Sequence, residues 1–164
     1  MHALSLVPQP TALDMYEQAI REAQSSLERI AAFMVREQWA SSHEEAYQAV
    51  QAFMQWMCAA SFSDKTQAFV MFFGPVDHAF HAAVLHTELY AKLCDRYAGF
   101  FINHNPLAED ERPKVEARGG IAHTLQFLRQ QYGDNLHPML AAWEKDFAAG
   151  TLTIEAVSCA GCDD

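Results

Sequence analysis

The chain has 164 residues, 51% of them hydrophobic, and a formal charge of −10 from 11 Lys and Arg against 21 Asp and Glu. That length suits one domain with a core that needs no covalent staple, and the acidity argues against nucleic acid or an anionic membrane as a general partner, because both bind clustered cations. No run of about 18 apolar residues offers a membrane span. Four cysteines are too few for a disulfide scaffold, and the first ten residues lack the basic and apolar regions of a signal peptide, so cytoplasmic residence is the expectation.

Residues 1–10, with Pro8 and Pro10, read as a flexible lead-in. From Thr11 onward Met15, Ala19, Ile20, Ala23, Leu27, Ile30, Ala31 and Met34 recur at threes and fours, which predicts one helix to about Trp39. Ser42 followed by Glu45 is a capping-box signal; it opens a second helix carrying Ala46, Val50, Phe53, Met54 and Met57. The run 61–64 ends that helix, and a short apolar stretch, 68–73, leads to Gly74-Pro75. Proline there suits the first turn of a third helix, predicted to continue to about Tyr97 and to stop at Gly99. Residues 100–106 follow as an extended loop. Two further helices are predicted over 113–132 and 138–149, closed by Gly133 and Gly150. The expected fold is all-α: a single compact domain of about five helices over 11–150, then a short tail, 151–164, that contains Cys159 and Cys162.

The chemistry is concentrated between Val76 and Pro106, which holds four of the eight histidines, one of the four cysteines and Asp77. These side chains bind transition metals or move protons near neutral pH. On a straight helix over 76–97, Asp77, His81, Glu88, Lys92 and Asp95 share one face with His78 at its edge, while His86, Tyr90, Leu93, Cys94 and Tyr97 face away. One ion then cannot take both His81 and Cys94 unless the helix breaks. Asp77 and His81, one turn apart, suit a metal clamp or a carboxylate–imidazole pair, and His104 on the following loop is the nearby imidazole able to join them. The plainer reading makes Asp77, His81, Glu88 and Lys92 a solvated face, His86 a half-buried histidine with one hydrogen bond, and Cys94 a small core residue. No HExxH or paired CxxC template supports a standard zinc site in the body of the domain.

The run Val76-Asp77, Phe80-His81, Leu85-His86-Thr87, Tyr90, Cys94, Gly99, Ile102, His104, Pro106 resembles the signature of the glycine-rich-domain-containing-protein-like family, V-D-x-x-W-H-x-x-I-L-x-T-x-x-Y-x-x-x-C followed by G-x-F-x-x-H-x-P. The resemblance extends more weakly to Tyr132-Gly133 and Trp143, and so covers about residues 50–145. Phe80 stands where the family has tryptophan, and the long glycine-rich tract is missing. The resemblance implies no particular reaction; it singles out Asp77, His81, Cys94 and His104.

The terminal Cys159-Ala-Gly-Cys162 has a spacing that can chelate a soft metal. It lacks the helix-terminus setting of a redox CxxC, and Asp163 and Asp164 beside it oppose thiolate formation. Cysteines in an acidic tail also suit modification by an enzyme. His123 and His137 read as structural histidines. The function expected is that of a small metal-binding helical protein with Asp77, His81 and His104 as ligands and Cys94 supporting them or binding separately, and with Cys159 and Cys162 as a second, soft site. Zinc is the default ion for a mixed His/Asp set, and iron and copper also suit it. The alternative is a non-catalytic interaction module that engages a protein partner through its acidic surface or tail.

Overall fold

The structure, a computed structural model, describes residues 8–158. Eight α-helices are found among them: α1 (Ala12–Glu22), α2 (Gln24–Arg36), α3 (His43–Ala60), α4 (Pro75–Leu85), α5 (Thr87–Leu93), α6 (Arg112–Ala117), α7 (Gly120–Tyr132) and α8 (Pro138–Ala148). Three strands, β1 (Phe69–Phe72), β2 (Asn105–Pro106) and β3 (Ile154–Ser158), form a sheet in the order β1-β3-β2. The fold is therefore mostly helical but not all-α, and the expected five helices become eight because three of them are divided.

Each division has a local cause. The first predicted helix breaks at Ala23, ahead of Ser25 and Ser26, two weak helix formers. Glu22 on the near side of that break accepts from the Tyr97 hydroxyl at 3.0 Å and lies 3.3 Å from the Arg96 guanidinium. The third breaks at His86, whose ψ of 65° leaves the helical region. There the backbone N–H of His86 donates to the Ala83 carbonyl rather than to Ala82, and the His86 ring Nδ1–H donates to the abandoned Ala82 carbonyl at 2.7 Å. The side chain replaces a helical hydrogen bond and so stabilises the break. The fourth divides at Gly119, in the left-handed region at φ +73°, followed by Gly120, where a Cβ would lie 2.8 Å from Val115 Cγ1. Two glycines let α6 fold back closely on α7.

Helix α3 is apolar on nearly all sides and is buried from Ala49 to Ala60 with the exception of Gln51, which makes it the axis of the core. Its N-terminus is capped by the Ser42 hydroxyl, which accepts from the Glu45 N–H at 3.1 Å. Helices α1, α2, α4, α7 and α8 pack around it. A chain of rings crosses the core: Phe69 on Trp56 at 5.0 Å between centroids, Trp56 on Phe80 at 5.3 Å, and Phe80 on His104 at 4.5 Å.

The sheet is what the expected all-α fold lacks, and one of its strands comes from residues 154–158, within the segment expected as a tail. Strand β3 is its central strand, antiparallel to both neighbours, with Val157 opposite Val70 and opposite Asn105. The free edge of β1 is covered by side chains: the Val70 carbonyl accepts from Trp56 Nε1 at 2.9 Å, and the Val70 N–H donates to Thr124 Oγ1 at 3.0 Å. Val70, satisfied in this way, offers no free backbone group to another strand. Thr124→Val keeps the shape but strands a buried N–H, and is expected to lower stability by about 1–3 kcal/mol, measured as a reduced urea midpoint.

His137 is structural, as the sequence suggested. It caps α8 by accepting from the Met139 N–H at Nδ1 (3.2 Å), and Nε2–H donates to Gln48 Oε1 (3.0 Å). The bond at Nδ1 needs the neutral ring, and burial lowers its pKa. The unfolded chain therefore takes up this proton at a higher pH than the folded one. Its contribution is complete above about 6.5 and is lost as pH falls toward the lower folded value. His137→Asn retains a capping acceptor without a titrating ring; its unfolding midpoint should fall less between pH 7 and pH 5 than that of the parent.

Candidate metal centre

Asp77 occupies the first turn of α4, after Gly74 and Pro75, where the helix dipole favours a negative charge. Its side chain is 2% exposed. A carboxylate so far from water requires partners, and it has two imidazoles. His81, one turn along α4, places Nδ1 3.1 Å from Asp77 Oδ2 and 2.9 Å from the Asp77 carbonyl oxygen. His104, from the loop between α5 and β2, places Nε2 3.2 Å from Asp77 Oδ1. An ionised carboxylate only accepts, so His81 donates from Nδ1 and His104 from Nε2, one to each oxygen. The two rings lie against each other with centroids 4.2 Å apart.

Three features position His104. Phe80, fully buried, packs its ring on the imidazole. The Tyr90 hydroxyl donates to the Ile102 carbonyl two residues earlier, and Asn105 and Pro106 pair with β3 immediately afterwards. The result is asymmetric: the His104 side chain is 7% exposed and that of His81 is 42% exposed. The site is closed from the loop side and open beside His81.

The three residues that the sequence put together are together. One ligand atom from each of Asp77, His81 and His104 lies within 4.8 Å of the others, the only such group of three or more His, Cys, Asp or Glu residues among the described residues. A tetrahedral ion with arms of about 2.0–2.1 Å separates its ligands by about 3.3 Å, close to the observed Asp77–imidazole spacings. The set also meets the chemical preference of a borderline ion for nitrogen and carboxylate oxygen.

Cys94 stands outside this cluster. It begins a π-helical turn, Cys94–Ala98, that ends at Gly99 in the left-handed conformation. Burial pushes its thiol up, opposed by the Ile102 N–H and the Tyr90 hydroxyl beside it. Its polar contacts are with Tyr90 and with Ile102, at the base of the loop that carries His104. His86 matches the plainer reading, half-buried with one ring hydrogen bond, and exposed Glu88 pairs with Lys92 at 2.7 Å. Cys159 and Cys162 lie outside the described residues. The sequence reasoning missed Tyr90 as the residue that anchors the loop; its position one turn after His86, on the apolar face with Cys94, was the available signal.

No helix among the described residues is long and apolar enough to cross a membrane. Comparison of the chain with protein-family models, with curated proteins and with solved structures returns no match.

Tyr90→Phe should release the Ile102 carbonyl and destabilise the fold by about 1–3 kcal/mol. Amide hydrogen exchange in residues 100–106 should quicken more than exchange in α3.

Proposed function

We propose that this protein binds a single divalent transition-metal ion through Asp77, His81 and His104. The observation that supports this reading most directly is a buried carboxylate whose two oxygens each face an imidazole nitrogen at a spacing close to a tetrahedral edge. Zinc is the first choice, and iron and copper suit the same donors. An ion between the three groups would take the place of the two imidazole N–H donors, each neutral ring then carrying its proton on the other nitrogen. The resemblance of residues 76–106 to the glycine-rich-domain-containing-protein-like family supports the choice of the same positions.

With three protein ligands and an opening beside His81, the centre has the composition of a site that keeps one position for water or substrate. The groups around it do not identify a general base, so the proposal is of metal binding rather than of a reaction.

A second reading has its own observation. Without any ion the Asp77 oxygens are already satisfied by imidazole N–H groups, and the trio then acts as a clasp fixing the 100–106 loop to α4. The two readings separate cleanly. Metal binding predicts one equivalent of zinc, iron or copper in the purified protein or on titration, with affinity reduced more than about tenfold in His81→Ala and His104→Ala. A parent protein that takes up none of these ions, and whose melting ignores both zinc and chelator while His104→Ala melts earlier, would leave only the clasp.

A further inference from the structure

The break at His86 has a product besides the division of a helix. Helix α2 packs along α4 and has no comparable packing on α5 beyond the break. Between α2 and α5 lies a cleft of about 650 Å³, within the range of small-molecule sites. We infer that this cleft binds a small organic anion, a carboxylate or phosphate monoester carried on a short apolar body.

Two kinds of side chain line it. Leu85, at the end of α4, and Leu89 and Leu93, on α5, give an apolar strip. Leu85 is 61% exposed, so the strip has apolar surface left to cover. Around it stand Arg29, Lys92 and Arg96 against two carboxylates, Glu22 and Glu88. Cations therefore outnumber acids here, in a chain where 21 Asp and Glu face 11 Lys and Arg. The cleft reverses the charge balance of its surroundings, which favours an anion over a cation.

The hydrogen bonds point the same way. Glu22 is fully engaged: it accepts from Gln18 Nε2 at 2.8 Å and from the Tyr97 hydroxyl at 3.0 Å, and it pairs with Arg96 at 3.3 Å. Glu88 is held by Lys92, one turn along the same exposed face. A pair so exposed contributes little in water, and Lys92 can turn from it to a ligand at small cost. Arg29 has no hydrogen bond or ion pair among the described residues. Its planar fork matches the paired oxygens of a carboxylate or phosphate. An organic cation entering the cleft meets carboxylates already occupied, whereas an anion meets one arginine unoccupied and one lysine loosely held. None of Asp77, His81 and His104 lines the cleft, so this site stands or falls apart from the metal centre.

Titration of the full chain with butyl phosphate and with hexanoate, followed by backbone amide NMR shifts, tests the inference. Both anions should saturate, with the largest shifts in residues 26–29 and 85–93. Inorganic phosphate, without the apolar body, should bind more weakly, and butylammonium should leave these residues unmoved. Arg29→Ala alters an exposed side chain and leaves the core intact; it should weaken both anions about tenfold. Lys92→Gln should weaken them less. Absence of saturation, shifts scattered over the surface, inorganic phosphate binding as tightly as butyl phosphate, or unchanged affinity in Arg29→Ala would each overturn the inference. So would butylammonium bound in the same residues. Shifts centred on His81 and His104 would assign the anion to the metal centre, overturning the cleft while leaving the metal reading in place.

Discussion

A carboxylate held almost entirely out of water is the constraint around which the rest of this molecule is arranged. Asp77 cannot lie in the interior unpartnered, and its requirement is met by parts of the chain that are distant in sequence. The start of α4 contributes its dipole, the next turn contributes His81, and a loop 27 residues on contributes His104. That loop is in turn held by Phe80 beneath, by the Tyr90 hydroxyl on one side and by β3 on the other. Removing any one of these supports leaves Asp77 with a looser partner. The same low-dielectric setting that makes the arrangement demanding also makes its electrostatics strong, whether the third participant is a pair of protons or a cation.

The candidate site was legible in the sequence to an unusual degree, and the reason is geometric. Asp77 and His81 are one helical turn apart, so helical phase alone puts them together, and the α4 break at His86 comes after both. His104 was found because it is the one imidazole on the loop that returns past the helix. Cys94 was expected on the packed face, away from His81, and it lies there, buried beside Tyr90 and Ile102, reached through two breaks at His86 and at the π-helical turn. The His86 break depends on a ring donating to a carbonyl four residues earlier, an interaction with no signature in apolar periodicity.

The helices were read correctly where burial follows period, as in α3, and too long where tertiary contacts or glycine interrupt a continuing pattern, as at Ala23 and Gly119. The sheet was missed through composition rather than through lack of signal. Leu152, Ile154 and Ala156 alternate with Thr151, Thr153 and Glu155, the period-two pattern of a strand. A helical domain with a polar end invited the reading of a tail instead. β2, two residues long, carries no sequence signal of its own and exists because β3 provides a partner.

The position of β3 has a consequence for how the molecule is made. It is the last described element in the chain and the middle strand of the sheet. During synthesis α1 to α4 can gather around α3 while the chain is still emerging, since domains assemble from the amino-terminal side as residues become available. β1 and β2 share no hydrogen bonds with each other and must wait for β3. The loop bearing His104 is consequently among the last parts to be fastened, and Asp77 meets its second imidazole in final register only at that stage. Closure of the sheet and fastening of the His104 loop are, in the order of biosynthesis, the same event.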